Sequence, residues 1–541
     1  MIRIALRANV WTSLAFAALV GILLAFLAAS YVSLGADRAR AGHDLEGLGP
    51  GFSFVLPLPS RLDTVSGYLE WFGFGQLAPL LAFWALIAGT GTSRGEEERG
   101  LTDQWLTAGV PRWRVVMSHL AAFAIAAGLA LAAGGFAGWL VTAAVGDPIA
   151  PGGLIAQSAA LLALMLVAYP LGLLAGQVFP TRRSAAGAAS AVLIALFLLN
   201  SLSRQADTLV AYRWLSPFSY YDRVHGLVPG VNSDAGAIAV LFAVGGAIAV
   251  AAIVAFTRRD AGATLVGRRR TIPPIREPSP NPLLRRPMLT SLYDQRLGLT
   301  LWCVAIAALG LFFLRLARSF VDTLAAADPN DPSTEQLRIV TGAGHGSPYE
   351  GFLSFEWFGG LLALGMAAFA ITQVARWAAD DTDGRLEAML AAPLSRSRVI
   401  LERSAALVLG SALLAAVGHV AVSSGSRIAG IDLDPGKMAV ASAMLVPVAA
   451  VFGGLGAAAS AWRPRIAIAV MSGFAFLSFM IPFATPVVRA PEWIKRLSVF
   501  DLYGSPLADG LSAWRLVVLV AAAAASFAIA AIAMQRRDVG S

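Results

Sequence analysis

Long apolar runs separated by short polar or charged segments dominate this chain of 541 residues. A helix needs about 20 mostly apolar residues to cross the hydrocarbon core of a bilayer, and twelve runs are of that kind. Because the runs are continuous, they predict helices and not the alternating strands of a membrane barrel. They begin near Trp11, Trp71, Val115, Gly153, Ala185, Gly236, Leu299, Trp357, Ser404, Met438, Ile466 and Trp514.

Composition agrees with this pattern. The chain is 57% hydrophobic, has a mean hydropathy of +0.69 and is only 14% charged, whereas soluble globular proteins carry about 25% charged residues. The single cysteine, Cys303, leaves no intramolecular disulfide, and the five histidines are not spaced as metal ligands. The sequence therefore predicts an all-α polytopic membrane protein, with no metal site.

Charge along the chain predicts its orientation. If the N-terminus is cytoplasmic, most Lys and Arg residues fall in cytoplasmic segments, and this bias favours cytoplasmic N- and C-termini. The net charge of +8 is then mostly anchoring charge that faces anionic membrane lipid. It is weak evidence for nucleic acid, and we expect no nucleic-acid partner.

The sequence contains one internal repeat. EWFG stands at 70–73 and again at 356–359, and three further matches follow in the same order. They pair GLTDQWLTAGVPRWRVV from Gly100 with GRLEAMLAAPLSRSRVI from Gly384, WLSPFSYY from Trp214 with RLSVFDLY from Arg496, and RRDAG from Arg258 with RRDVG from Arg536.

The repeat predicts two six-helix transmembrane halves, residues 1–257 and 288–541, joined by a cytoplasmic linker over 258–287 that is rich in Arg and Pro. Because six spans is an even number, both halves enter the membrane with the same polarity, which makes this a parallel repeat of twelve helices in total. Each half is expected to begin with a short amphipathic helix at the inner surface.

Two loops at equivalent positions, residues 95–114 and 380–398, share one design. An acidic cluster is followed by apolar residues at helical spacing and then by arginines, an order that suits the helix dipole. It predicts a surface helix that docks into a groove on a soluble partner; the alternative is a helix that contacts only lipid. The predicted docking residues are Glu96, Glu97, Glu98, Gly100, Trp105, Leu106, Arg112 and Arg114, and Asp380, Asp381, Asp383, Gly384, Leu390, Arg396 and Arg398.

Six spans per half, a surface helix before the first, these loops and an SPFSYY-like segment before the sixth span resemble the ABC-2 type permeases, the membrane subunits of ATP-driven exporters. The fused twelve-span chain is similar to tetronasin-type antibiotic and multidrug exporters of actinobacteria. The resemblance implies that the loops are coupling helices on a separate ABC ATPase, present in two copies with its own ATP and Mg²⁺, at a bacterial plasma membrane. The second loop lacks the EEE run and has Pro393 displaced from Pro111, so its docking site need not be equivalent.

The chain has no phosphate-binding loop, because neither of its two lysines, Lys437 and Lys495, lies in the required glycine pattern. We expect a permease that is not itself an enzyme, that carries no cofactor of its own and that moves small hydrophobic or amphipathic compounds such as antibiotics or drugs. Two alternatives are a lipid or lipid-linked glycan as cargo, and a proton-coupled secondary drug transporter. The second generally needs ionisable residues inside the spans, and the sequence offers almost none there.

The resemblance also implies that the second and fifth spans of each half line the transport path. The aromatic and polar residues so implied are Phe72, Phe74, Phe197, Asn200, Phe358, Phe474, Phe476 and Phe479. We expect Trp71 and Trp357 at the membrane interface, where tryptophan is enriched. Pro482 and Pro486 predict a break in the eleventh span.

Overall fold

The computed structural model describes residues 2–33, 46, 56–144, 146–204, 206–228, 230–260, 263–265, 287–326, 347–382, 385–390, 395–487 and 491–536. The chain packs as two compact units, Met1–Ile275 and Arg276–Ser541. Within the described residues, all the regular secondary structure is helical, and eleven helices are long and apolar enough to cross a membrane. Six of these lie in the first unit and five in the second. A shorter apolar helix, Ile466–Pro482, lies where the eleventh span is predicted. The prediction of an all-helical polytopic membrane protein is therefore confirmed.

The first unit is built around one central helix. Its helices are α1 (Ile2–Ser33), α2 (Val65–Tyr68), a π-helical segment (Leu69–Phe74), α3 (Gly75–Thr92), α4 (Arg94–Glu98), α5 (Leu101–Thr107), α6 (Arg112–Ala144), α7 (Pro151–Val178), α8 (Arg182–Ser203), α9 (Asp207–Val210), a 3₁₀ turn (Arg213–Leu215), α10 (Pro217–Tyr221) and α11 (Ala235–Arg258). Helix α7 packs against both α3 and α11, and α1 packs along α6.

The second unit has a similar centre. Its helices are α12 (Pro287–Asp294), α13 (Arg296–Ala326), α14 (Pro348–Phe352), a π-helical segment (Leu353–Leu362), α15 (Ala363–Thr382), α16 (Arg385–Leu390), α17 (Arg396–Ala429), α18 (Pro435–Trp462), α19 (Pro464–Val487), α20 (Glu492–Lys495), α21 (Val499–Tyr503), α22 (Pro506–Asp509) and α23 (Ala513–Arg536). Helix α18 packs against α15, α17 and α23.

Small residues allow the central helix of the first unit to approach its neighbour. A Cβ atom at Gly172 would lie 2.2 Å from the carbonyl oxygen of Leu86, and one at Gly89 would lie 2.2 Å from that of Tyr169. Only glycine fits at such distances, and small residues are the usual means by which membrane helices pack closely. Helices α3 and α7 are therefore held backbone to backbone at this crossing.

The repeated EWFG motif lies in a π-helical stretch in both units, Leu69–Phe74 and Leu353–Leu362. Trp71 and Trp357 are buried within their own units, and their position at the membrane interface stays a prediction. The indole nitrogen of Trp71 donates to the carbonyl of Pro57 at 2.7 Å, so its polar atom has a partner within the protein. π-Helical turns occur often at functional sites.

Two other predictions about helix ends need correction. In the first unit α1 is continuous from Ile2, so no separate surface helix precedes the span; in the second unit α12 is separate and ends at a turn before α13. Helix α19 continues through Pro482 and Pro486 to Val487, because neighbouring groups can re-satisfy the backbone around a proline in a membrane helix. Residues 266–286 of the predicted linker lie outside the described residues.

Candidate functional site

Local backbone geometry folds the first loop back onto its unit. Helix α3 ends at Ser93, whose φ and ψ of −98° and −98° are not helical, and α4 then occupies Arg94–Glu98. Gly100 follows with a φ of +72°, a left-handed conformation that glycine adopts without the clash of a Cβ atom. This glycine separates α4 from α5, so the acidic and the amphipathic parts of the loop are two short helices and not one.

The three glutamates of this loop contact their own unit. The Glu97 carboxylate lies between Nη1 of Arg94, at 2.6 Å, and Nη2 of Arg259. Glu98 accepts a hydrogen bond from the backbone nitrogen of Arg182 at 2.9 Å, and Glu96 lies 3.2 Å from Nε2 of His119. All three carboxylates thus lie against the helix bundle, and Glu97 and Glu98 bond to it.

Arg94, Glu97 and Arg259 belong to a buried cluster that also contains Ser93 and Gln177, and we call these five residues the arginine knot. Nε of Arg259 donates to Oε1 of Gln177 at 2.7 Å, and Nε2 of Gln177 donates to Oγ of Ser93 at 2.8 Å. Arg94 and Arg259 are only 3% and 5% exposed. The knot therefore joins α4 to the last turn of α7 and to the residue that follows α11.

Backbone carbonyls take the remaining guanidinium donors of the knot. Nε of Arg94 donates to the carbonyl of Phe179 at 3.0 Å, and both arginines donate to the carbonyl of Ala263, at 3.0 and 2.7 Å. Arg112, at the start of α6, donates to the carbonyl of Arg259. Charge-assisted bonds of this kind are about twice as strong as neutral ones, which makes the loop end of the first unit a cross-linked polar core.

The amphipathic part of the loop, α5, has a partly open surface. Thr102 is buried, whereas Trp105 and Leu106 are partly exposed and Asp103 is exposed. Arg114 is exposed and its guanidinium lies 5.2 Å from the ring of Trp113. Of the predicted docking residues in the first loop, Glu96, Glu97 and Arg112 are partly buried against their own unit. The surface that a partner can reach contains the exposed Glu98 and Arg114 and the partly exposed residues of α5.

The second loop is less fully described. Asp383, Gly384 and residues 391–394 lie outside the described residues. Nη2 of Arg403 donates to Oδ2 of Asp380 at 2.8 Å, which joins α15 to α17. On α16 Leu386 is buried, while Leu390 is partly exposed.

Arginines at the start of α17 make contacts near the surface. Nε of Arg398 donates to Oε1 of Glu402 at 2.9 Å, and Oε2 of Glu402 accepts from the backbone of Met288 in α12. Nη1 of Arg396 lies 3.5 Å from the carbonyl of Gln535. The described part of the second loop is thus tied to α12, α17 and α23.

The opposite end of the first unit holds a second polar cluster. Oε1 of Glu70, in the π-helical segment, lies 2.8 Å from Nδ1 of His225, and Oε2 accepts from the backbone of Leu227 at 2.8 Å. Gln157 of α7 accepts from the backbone of Gly226 at 3.2 Å and donates to the hydroxyl of Tyr221 at 3.2 Å. The segment between α10 and α11 is therefore clasped from two membrane helices.

A small cavity adjoins this clasp. It is lined in part by Glu70, Gln157, Tyr221, Asp222 and His225 and has a volume of about 20 Å³, roughly the room for one water molecule. The hydrogen bond from His225 to the Glu70 carboxylate raises the pKa of His225 above its ordinary value of 6.5, against an opposing effect of burial. His225 lies outside the membrane-spanning helices.

Residues predicted to line a transport path pack within their own units. In the first unit Phe74 is buried, Phe72 is partly buried, and the ring of Phe197 meets that of Phe218 at 5.2 Å. Asn200 donates to Oδ2 of Asp222 at 2.8 Å.

The second unit shows the same tendency. Phe358 is buried, Phe474 lies 5.7 Å from Phe452 and Phe479 lies 5.3 Å from Phe500, ring centre to ring centre. Phe476 is partly buried. The transport path stays a prediction.

Sequence reasoning missed the partners that complete both clusters. Arg259 was visible only as part of the repeated RRDAG motif, and Gln177 only as a polar residue in an apolar run. His225 stood in a short loop with no pattern around it. The signal that could have found Arg259 and Gln177 is the cost of burying an unpaired polar group, which demands a partner somewhere in the fold.

Two comparisons with known proteins bear on this arrangement. A family model described as "Multidrug efflux system permease Rv1217c, C-terminal domain" matches residues 62–257 and 284–535. The chain is also 25% identical over 472 residues to the multidrug efflux system permease protein Rv1217c of Mycobacterium tuberculosis (strain ATCC 25618 / H37Rv), across 86% of this chain and 81% of that protein. The matched residues include both loops, both π-helical segments and four of the five residues of the arginine knot. Arg259 lies outside the match. Since the family model covers well over half of its length, the chain belongs to the family of the multidrug efflux system permease Rv1217c, C-terminal domain.

Proposed function

We propose that this chain is the membrane permease of an ATP-driven exporter that moves hydrophobic or amphipathic compounds, such as antibiotics or drugs, out of a bacterial cell. The observation that carries the proposal is the family match, which extends through both units and includes both charged loops. A relative named as a multidrug efflux permease aligns with most of the chain. Eleven membrane-length helices in the described residues suit a permease.

In this proposal α5 and α16 contact a separate ABC ATPase, present in two copies that hold ATP and Mg²⁺. The partly exposed Leu106 and Leu390 and the exposed Asp103 and Glu387 give the two helices apolar and charged surface for such a contact. Glu96, Glu97 and Glu98 contact other groups of the first unit and have a different part, which is to fix the position of the first loop. Closure of the ATPase subunits on ATP would then press on the loops and convert the permease from inward-open to outward-open.

The experiment that tests the proposal is purification of the tagged chain from its native membrane in mild detergent, followed by mass spectrometry of the proteins that accompany it. We expect a stoichiometric chain with a phosphate-binding loop, and ATP hydrolysis that the exported compound stimulates. Purification of the chain without an ATPase, together with efflux that stops when the proton gradient is dissipated, would contradict the ATP-driven mechanism.

A proton-coupled secondary transporter is the second candidate, and one observation favours it. Glu70 is 8% exposed and is paired with a titratable imidazole, the kind of buried pair that a proton-coupled transporter requires. Efflux from cells depleted of ATP but supplied with an imposed proton gradient separates the two candidates. The ATP-driven exporter stops under these conditions, and the secondary transporter continues.

A further inference from the structure

The arginine knot connects helices that the sequence does not connect. Along the chain α4 is joined only to α3 and, through α5, to α6. Through Glu97 and Arg259 it is also joined to the end of α11, and through Arg259 and Gln177 to the end of α7. Glu97 and Arg259 stand 162 positions apart in the sequence.

Burial makes this connection stiff. The side chains of Arg94, Glu97 and Arg259 are 4%, 6% and 3% exposed. Separating a buried ion pair leaves an uncompensated charge in a region of low dielectric constant, which is unfavourable. A displacement of α4 is therefore less costly when Arg259 and Gln177 follow it than when they remain in place.

The short connection between α5 and α4 allows movement of α5 to be passed to α4. Only Arg99 and Gly100 lie between α4 and α5, and Nε of Arg99 donates to the carbonyl of Gly95 at 2.9 Å. Force on α5 thus reaches α4 over a short and internally bonded segment. The exposed residue next to Arg259, Arg258, takes no part in the knot.

We propose that Glu97 and Arg259 are positioning residues that pass movement of the first loop to the ends of α7 and α11. This inference deepens the proposed function and rests on it. The loop then acts on the central helix of the first unit directly, through charged hydrogen bonds, and not only through the helices that are adjacent to it in sequence.

A double-mutant cycle in the intact complex tests the inference. Glu97→Gln, Arg259→Gln, their combination and the charge exchange Glu97→Arg with Arg259→Glu are purified with the ATPase, and ATP hydrolysis is measured with and without exported compound. Each single variant should retain the ATPase and its basal hydrolysis but lose stimulation on the order of tenfold. The double variant should lose no more than either single variant, and the charge exchange should recover part of the stimulation. Arg258→Gln is the matched control and should behave as the wild type.

Two results would overturn the inference while leaving the proposed function intact. The first is a double variant whose loss is the product of the two single losses, which would show that the residues act independently. The second is full stimulation in the single variants. If the glutamine variants do not accumulate, Arg259→Lys is measured instead, because it keeps the charge but not the planar arrangement of N–H donors of a guanidinium. This variant should fold and show reduced stimulation. Wild-type stimulation in this variant would also overturn the inference. A wild-type chain that purifies without any ATPase would instead refute the proposed function, and the inference with it.

Discussion

Oε1 of Glu70 and Nδ1 of His225 lie 2.8 Å apart although 155 positions separate the two residues in the sequence. Their contact closes the end of the first unit that is opposite to the charged loop. Because the imidazole has a raised pKa, the strength of this contact depends on pH in a range where most other side chains do not titrate.

Stability should therefore change with pH in a defined direction. A histidine whose pKa is higher in the folded than in the unfolded chain stabilises the fold fully below its unfolded pKa near 6.5, and this contribution is lost as pH rises through the folded pKa. We expect the free energy of unfolding of the wild type to exceed that of His225→Gln by about 0.5–1 kcal/mol at pH 6, since the pair is partly solvated. The difference should be smaller at pH 8.5. Thermal unfolding in detergent over this range measures the difference, and a gap that stays constant with pH would contradict the assignment. Glu70→Gln should remove the same pH dependence.

The crossing of α3 and α7 should tolerate no added methyl group. Gly172→Ala would place its Cβ atom 2.2 Å from the carbonyl oxygen of Leu86, and overpacking of this kind costs about 1–3 kcal/mol. Gly187→Ala on α8 is the control, because a Cβ atom there has no neighbour within 4 Å; it should be neutral or stabilise the chain by up to about 1 kcal/mol. The midpoint of thermal unfolding tests both, and equal midpoints for the two variants would show that the helices separate at little cost.

Docking of an ATPase should depend on the open surface of α5. Leu106→Asp places a charge on its partly exposed apolar face and should weaken capture of the ATPase on the order of tenfold. Leu390→Asp tests whether the second loop contributes equally. Leu215→Asp, at an exposed leucine near α10, is the matched control, and a similar loss in this variant would point to general damage and not to a docking surface.

Two arginines of α17 should differ in importance because they differ in burial. The side chain of Arg403, paired with Asp380, is 11% exposed, whereas that of Arg398, paired with Glu402, is 61% exposed. Arg403→Gln should cost about 1–3 kcal/mol of unfolding free energy, and Arg398→Gln no more than about 0.5 kcal/mol. Chemical or thermal unfolding in detergent compares them, and the reverse order would mean that Arg403 is not held as the structure places it.

The position of the loops could be predicted from sequence, but the direction in which their charges face could not. A membrane helix must present about 20 apolar residues to lipid whatever its neighbours are, so the spans and the charged segments between them are visible along the chain. The three consecutive glutamates at 96–98 were predicted to belong to a docking surface because two loops at equivalent positions share one order of acidic, apolar and basic residues. Their partners, Arg259 and His119 among them, lie far away in the sequence, and no local sequence pattern indicates them.

Sequence by itself determined that the chain is a helical membrane protein, that it contains a repeated EWFG motif and that two charged loops stand at equivalent places. Tertiary structure alone decided that Trp71 and Trp357 are buried, that Glu97 is enclosed by two arginines and that Glu70 meets His225. The physical reason is that transfer of a segment into lipid depends on its own residues. The energy of a charge depends on its burial and on the group beside it, which only the packing of distant helices supplies.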